Sequence, residues 1–107
     1  MIKSFKDKET ENIFNGINSK KFNAIQKVAK RKLDILHFAF AEQDLIVPPS
    51  NHFEHLKGNL LGYCSIRIND QFRLVFKFEN GCAYEVQIID YHKKEYQYEQ
   101  QAIYTSK

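Results

Sequence analysis

Apolar residues recur with two different periods along the chain, and the change of period separates a helical first half from a strand-rich second half. From residue 20 to residue 41 the apolar side chains recur every three or four positions, which predicts one amphipathic helix. Its apolar stripe consists of Phe22, Ile25, Val28, Ala29, Leu33, Leu36, Ala39 and Phe40. Before it, Met1 to Phe5 alternates like a short strand, and a shorter helix is predicted from a cap at Ser4 or Asp7 to Asn15-Gly16.

The second half alternates with a period of two. Pro48-Pro49 ends helical structure and opens a loop that runs through Asn59. Three strands are then predicted, over residues 63–68, 71–78 and 83–89, with hairpin turns at Asn69-Asp70 and Asn80-Gly81. We therefore expect an α+β fold in which the N-terminal strand and two helices pack on one face of a mainly antiparallel sheet that ends in a three-stranded meander.

Alternation assigns each strand residue to one face of the sheet. Even-numbered positions are apolar and are expected to face the helices: Cys64, Ile66, Ile68, Phe72, Leu74, Phe76, Phe78, Tyr84, Val86 and Ile88. Odd-numbered positions are mostly polar and are expected on the open face: Tyr63, Ser65, Arg67, Gln71, Arg73, Lys77, Glu85 and Gln87, with Val75 and Ile89 as apolar exceptions.

The same parity predicts the register of the first hairpin, because directly opposed residues share a face. A loop that pairs Ile68 with Phe72 keeps the faces consistent and sets Arg67 across from Arg73. Opposed like charges are unfavourable by about 0.2–1 kcal/mol, and an anion held between them would reverse the sign. The alternatives are that both arginines extend into water or pair with Glu85.

Charge adds a weak indication of a polyanionic partner. The formal net charge is +3, and residues 1–40 hold nine Lys or Arg against four Asp or Glu. A basic half favours contact with phosphates. A lysine-rich helix is more often a solvated face, and we expect Lys20, Lys21, Lys27, Lys30, Arg31 and Lys32 on the surface of the long helix.

Several classes of protein are not expected. No apolar run is long enough for a membrane span, and the first residues do not resemble a secretory signal, so we expect a cytoplasmic protein. Cys64 and Cys82 are too few and too far apart to indicate a disulfide framework or a metal knuckle. We expect no cofactor and no metal; the alternative is zinc held by His52, His55 and His92. His37 is expected to be a packing or surface residue.

Further chemistry collects near the two arginines. Tyr91 shares their parity if the last strand continues, His92 follows it, and the loop brings Lys57 next to Gly58. Guanidinium groups match phosphate oxygens, imidazole can move a proton near neutral pH, and a tyrosine ring can stack on a base. This combination favours phosphoryl chemistry on a nucleic acid.

The order and spacing of these residues resemble those of a known protein family. Met1-Ile-Lys-Ser-Phe-Lys, Leu56-Lys-Gly58, the run from Gly62 to Arg73 and Asp90-Tyr-His92 resemble the HigB-type plasmid-maintenance killer toxins of the RelE/ParE superfamily. The resemblance covers residues 1–92 and implies a RelE-like toxin domain there, with residues 93–107 as an extension of unknown structure. It further implies a ribosome-dependent mRNA endonuclease, a HigA-type helix-turn-helix antitoxin as partner, the ribosome with its mRNA as target, and contact with operator DNA only through the antitoxin.

The resemblance also implies roles for individual residues. Lys57, Arg73, Asp90 and His92 fall on catalytic positions, and Arg67, Tyr91 and His55 are expected to bind RNA. Many relatives place a histidine three residues before the lysine, whereas here that position is Glu54 and the histidine is its neighbour His55. Whether Glu54 or His55 takes that role stays open.

The expected reaction is attack of a 2′-hydroxyl on the adjacent phosphate. A base takes the hydroxyl proton, cations stabilise the phosphorane, and an acid protonates the leaving 5′-oxygen. We expect Arg73 to stabilise charge, Lys57 and Arg67 to hold phosphates, and His92 to act as acid or base. Asp90 could orient a neighbour or close the strand end, and Tyr91 could stack on a base or pack against the sheet. Two rival functions are a ParE-like gyrase inhibitor and a non-catalytic co-repressor that only binds an antitoxin.

Overall fold

The computed structural model describes residues 1–91, which form three α-helices and a four-stranded antiparallel sheet. The helices are α1 (Lys8–Phe14), α2 (Gln26–Phe38) and α3 (Gln43–Ile46). The strands, in the order in which they pair, are β1 (Glu54–His55), β2 (Cys64–Arg67), β3 (Phe72–Glu79) and β4 (Cys82–Asp90). The predicted α+β class and the β2–β3–β4 meander are confirmed. His92 and the predicted extension, residues 93–107, lie outside the described residues.

Local side-chain contacts set the helix boundaries. The side chain of Asp7 accepts a hydrogen bond of 2.7 Å from the backbone N–H of Thr10 and begins α1 as predicted. The prediction that the long helix begins at residue 20 is wrong. The Ser19 hydroxyl accepts from the Phe22 N–H, and the Gln26 side chain accepts from the Ser19 N–H. These bonds hold a non-helical segment and a 3₁₀ turn, Asn23–Ile25, ahead of α2.

The N-terminal segment is less regular than the short strand predicted over Met1 to Phe5. Ile2 and Phe5 form isolated parallel bridges to Ala83 and Val86 rather than a continuous strand. Between the bridges the Glu85 N–H donates to the Ser4 hydroxyl, 2.9 Å away, instead of to a backbone carbonyl. Glu85 has φ +55°, so the backbone of β4 is irregular at this point and interrupts the ladder.

One hydrophobic core joins the helices to the sheet. Its fully buried members include Ile13 of α1 and Ala29, Leu33 and Leu36 of α2. The sheet contributes the even-numbered side chains Cys64, Ile66, Ile68, Leu74, Phe76, Val86 and Ile88. The predicted alternation is thus confirmed for these positions, and no helix within residues 1–91 is long and apolar enough to cross a membrane.

Tyr84 departs from the predicted alternation. The register between β3 and β4 shifts between Val75 and Lys77, so that Tyr84 pairs with Lys77, and Tyr84 is 36% exposed. An inserted residue in one strand moves the following side chains to the opposite face. The assignment of Tyr84 to the helix-facing side is therefore wrong, whereas Val86 and Ile88, beyond the irregularity, are buried as expected.

Candidate functional site

Arg67 and Arg73 are directly opposed across β2 and β3, in the register that the parity of the sequence predicts. The turn between them is held by the Asn69 side chain, which accepts from the backbone N–H groups of Gln71 and Phe72 at 2.8 and 2.7 Å. The Ile68 N–H also donates to the Phe72 carbonyl at 3.0 Å. Two guanidinium groups therefore start from neighbouring positions on one face of the sheet.

Four groups contact the guanidinium of Arg73, and the Arg73 side chain is only 11% exposed. Its Nη1 donates to the Ser65 hydroxyl at 2.9 Å and to the His52 carbonyl at 3.3 Å. The Glu54 carboxylate lies 3.5 Å from the same nitrogen, and the Tyr91 ring lies 5.2 Å from Cζ in a cation–π contact. A guanidinium with this many partners is fixed in position before any ligand arrives.

Arg67 is the more accessible of the two arginines, with 35% of its side chain exposed. It forms an ion pair with Asp70 in the hairpin turn, and the Asp70 side chain is almost fully exposed. An exposed pair of this kind contributes little to stability, since solvent screens it. Arg67 can therefore exchange Asp70 for another anion at low cost.

Glu85 does not pair with Arg67 or Arg73, so one of the alternatives that the sequence left open for these arginines is wrong. Its carboxylate accepts from the Tyr63 hydroxyl at 2.7 Å and lies 3.3 Å from the Lys77 ammonium and 3.7 Å from that of Lys6. The hydrogen bond from Tyr63 and then that from Lys77 hold the pKa of Glu85 below its ordinary value. The negative charge of Glu85 is thus taken up by other partners, away from Arg67 and Arg73.

The two-residue strand β1 decides where Glu54 and His55 lie. Glu54 pairs with Ser65, and His55 pairs with Cys64. Paired residues share a face, so Glu54 lies with Arg73 while His55 lies on the opposite face. We call the face that carries Glu54, Ser65, Arg67, Arg73 and Tyr91 the arginine face. The structure brings Glu54, not His55, to it.

The remaining predicted site residues divide between the two faces. Asp90 pairs with Phe72, on the helix-facing side, and accepts from the Gln71 side chain at 3.1 Å. Tyr91 joins the arginine face, and its N–H donates to the Gln71 carbonyl at 2.7 Å. Lys57 is exposed and precedes the 3₁₀ turn Gly58–Leu60, two residues beyond β1. His92 follows Tyr91 directly in the chain but lies outside the described residues.

Lys32 is a charged residue whose position the sequence does not reveal. The prediction that it lies on the solvated surface of the long helix is wrong, since it is only 7% exposed. Its ammonium donates to the side chain of Asn51 at 2.8 Å, in the turn just before His52. Burial, followed by the nearby charges of Arg31 and Arg67, lowers the pKa of Lys32 below its ordinary value. Lys32 thereby anchors the loop whose His52 carbonyl accepts from Arg73.

One group of metal-ligating types occurs within residues 1–91, and it lies away from the arginine face. It consists of Glu42, His55 and Cys64. Burial, and to a lesser degree the charge of Glu42, raises the pKa of the Cys64 thiol to about 11. The thiol is therefore protonated at neutral pH and is not an activated nucleophile.

Comparison with protein families identifies the family of the chain that carries the arginine face. Residues 3–92 match the model of the HigB-like toxins, described as the RelE-like toxin of type II toxin-antitoxin system HigB. The chain belongs to this family. The matched segment of this HigB-like toxin includes every residue of the arginine face together with Lys57, Asp90 and His92.

Individual relatives agree with this membership. The HigB-like toxin is 44% identical over 95 residues to toxin HigB-1 of Vibrio cholerae serotype O1, covering 87% of this chain and 99% of that protein. A chain from the crystal structure of the heterotetrameric YoeB–YefM toxin–antitoxin complex of Staphylococcus aureus superposes with a TM-score of 0.57 at 26% identity, over 87% of this chain and 97% of that one. A second YoeB–YefM complex from the same organism gives 0.50 at 25% identity, over 81% and 93%.

Proposed function

We propose that this HigB-like toxin is a ribosome-dependent mRNA endonuclease and that the arginine face holds the scissile phosphate. The observation that carries the proposal is the fixed guanidinium of Arg73, opposed by the accessible guanidinium of Arg67. A pentavalent phosphorane carries more negative charge than the ground-state phosphodiester. Cationic donors that are already oriented therefore stabilise the transition state more than the substrate.

The reaction proposed is attack of the 2′-hydroxyl on the adjacent phosphorus. The 2′-oxygen forms a bond to phosphorus as the bond to the 5′-oxygen breaks, leaving a 2′,3′-cyclic phosphate and a 5′-hydroxyl. The base takes the 2′-hydroxyl proton, and the acid gives a proton to the leaving 5′-oxygen. This route uses side chains alone and requires no metal ion.

We assign the roles from position and chemistry. Glu54 is the carboxylate beside Arg73, 3.5 Å from Nη1, and is the candidate base. His92 follows Tyr91, whose ring contacts Arg73, and is the candidate acid because an imidazole titrates near neutral pH. Lys57 and Arg67 hold flanking phosphates, and the Tyr91 ring offers a surface on which a base can stack. Asp90 acts from the other face by holding Gln71 at the strand end.

The partner proposed for this toxin is a cognate antitoxin of the HigA helix-turn-helix type. The support is that the two structural neighbours described above were solved as toxin–antitoxin complexes. The antitoxin would silence the toxin and carry it to operator DNA, while the toxin itself acts on mRNA at the ribosome in the cytoplasm. The domain that does this corresponds to residues 1–92, with residues 93–107 as an appended segment.

Mapping the 5′ ends of cellular transcripts after brief induction tests the proposal. We expect new ends inside coding regions, in phase with the reading frame, which disappear when translation of that message is blocked by a mutated start codon. DNA breaks trapped on gyrase without new transcript ends would instead favour inhibition of the ParE type. If neither new transcript ends nor DNA breaks are found and the protein still binds its antitoxin, only the co-repressor role would remain.

A further inference from the structure

A second polar cluster lies on the face of β1 and β2 that is opposite to the arginine face. It joins three separate segments: Glu42 just before α3, His55 of β1 and Cys64 of β2. The His55 ring lies between the other two, with Nε2 3.1 Å from the Glu42 carboxylate and Nδ1 3.5 Å from the Cys64 sulfur. One ligand atom from each side chain lies within 4.8 Å of the others.

We propose that Glu42, His55 and Cys64 form a binding site for a soft divalent cation of the zinc class. Zinc bonds of about 2.3 Å to sulfur and about 2.0 Å to nitrogen, in tetrahedral geometry, place those two ligand atoms about 3.5 Å apart. The observed separation of 3.5 Å between Sγ and Nδ1 equals this value without any movement of the backbone. Glu42 completes the set as a third ligand through a rotation of its flexible side chain, and water takes the fourth position.

The chemistry of the donors selects the ion. A thiolate and an imidazole favour zinc and its neighbours over magnesium and calcium, which prefer oxygen ligands. Binding replaces the proton of the Cys64 thiol with the metal, and that proton passes to solvent. The ion can reach the buried sulfur, because the side chains of His55 and Glu42 are 64% and 43% exposed.

Such an ion would fasten the loop between α2 and β2 at two points. It would tie the start of α3 and the short strand β1 to the edge of β2, and β1 carries Glu54 on its other side, beside Arg73. The two faces remain chemically separate, since the three ligands do not contact Arg73 in any described interaction. The site therefore serves stability, goes beyond the endonuclease proposed above, and departs from the expectation that the chain binds no metal.

Cobalt binding tests the site by a readout that is independent of toxicity. The full chain, reduced and stripped with a chelator that is then removed, is titrated with Co²⁺ and afterwards with Zn²⁺. We expect one Co²⁺ per chain, with a thiolate-to-cobalt charge-transfer absorption in the near ultraviolet that Zn²⁺ abolishes. Saturating Zn²⁺ should also raise the melting temperature, because a ligand that binds only the folded chain stabilises it.

Single variants locate the ligands. The Cys64→Ser variant should lose the charge-transfer band, whereas the Cys82→Ser variant, which removes the chain's other cysteine, should keep it. His55→Ala alters an exposed side chain and should fold normally while binding Co²⁺ at least about tenfold more weakly. The proposal is overturned if the folded wild-type chain binds no Co²⁺ stoichiometrically, or if Cys64→Ser or His55→Ala binds it as tightly as the wild type.

Discussion

The carboxylate of Glu54 lies 3.5 Å from the Arg73 guanidinium, whereas the next residue, His55, lies on the opposite face of the sheet against Glu42 and Cys64. Successive side chains of a strand point to opposite faces, so even a two-residue strand separates neighbours completely. Glu54 stands where many relatives have a histidine, and the sequence left open whether Glu54 or its neighbour His55 takes the role of that histidine. Their positions favour Glu54 as the residue that acts with Arg73.

Replacing Glu54 with glutamine should slow mRNA cleavage by about 100-fold or more, because a general base contributes about 10²–10⁴-fold to such a reaction. Glutamine keeps the size of the side chain but cannot take the proton of the 2′-hydroxyl. Cleavage by purified toxin on programmed ribosomes measures the effect. Glu79→Gln is the matched control, because it makes the same change at an exposed carboxylate at the end of β3, and it should cleave at a rate close to that of the wild type. A Glu54→Gln variant with wild-type rates would remove Glu54 from the mechanism.

His92→Ala should abolish growth inhibition while the protein accumulates to the level of the wild type. The leaving 5′-oxygen needs a proton, and an imidazole can supply one near neutral pH. Colony counts after induction, read beside an immunoblot of the toxin, provide the measurement. If cells that contain stable His92→Ala protein still die, the assignment of the acid to His92 is wrong.

Lys32→Met should change how stability depends on pH. Burial lowers the pKa of Lys32 below its ordinary value of 10.5, so the unfolded chain holds this proton more tightly than the folded chain. The contribution of Lys32 to the free energy of unfolding therefore rises with pH as the pH approaches 10.5. The Lys32→Met variant lacks this contribution.

Urea unfolding of both proteins across the alkaline range provides the test for Lys32. The free energy of unfolding of the wild type minus that of Lys32→Met should increase with pH. Groups that titrate in the same way in both proteins cancel in this difference. A difference that stays constant with pH would show that Lys32 keeps its ordinary pKa in the folded chain.

Gly81→Ala should destabilise the fold by about 1–3 kcal/mol, more than the same change at Gly62. Both glycines have positive φ, +77° and +95°, which costs alanine conformational energy. At Gly81 a Cβ atom would also lie 2.9 Å from the Phe40 carbonyl oxygen, whereas at Gly62 nothing lies within 4 Å. Equal urea midpoints for the two variants would mean that the backbone at Phe40 moves away from the added Cβ atom without a measurable cost in stability.

The register of the first hairpin could be predicted because two independent constraints agree. The apolar alternation fixes which residues share a face, and Asn69 supplies the side-chain acceptor that the turn needs. Together these two local features are sufficient to place Arg67 opposite Arg73. A glycine at positive φ likewise marks the second hairpin, where Asn80 and Gly81 both have positive φ.

Other features depend on contacts that a local pattern does not contain. β1 is two residues long, too short to show a period, so the placement of Glu54 comes only from its pairing with β2. Glu85 adopts a positive φ without a glycine to signal it, and Tyr84 is displaced as a result. Lys32 has the sequence pattern of a solvated helix residue, but the distant turn that contains Asn51 covers it.

Cleavage of ribosome-bound mRNA by the Arg73→Ala variant is the most direct test of whether an oriented guanidinium drives the reaction. We expect a single-turnover rate lower by about 10²–10³-fold, the typical loss when one oriented transition-state donor is removed. The Arg31→Ala variant, which loses an exposed arginine of α2, should cleave at the wild-type rate. A folded Arg73→Ala protein that cuts mRNA as fast as the wild type would show that the Arg73 guanidinium does not stabilise the transition state.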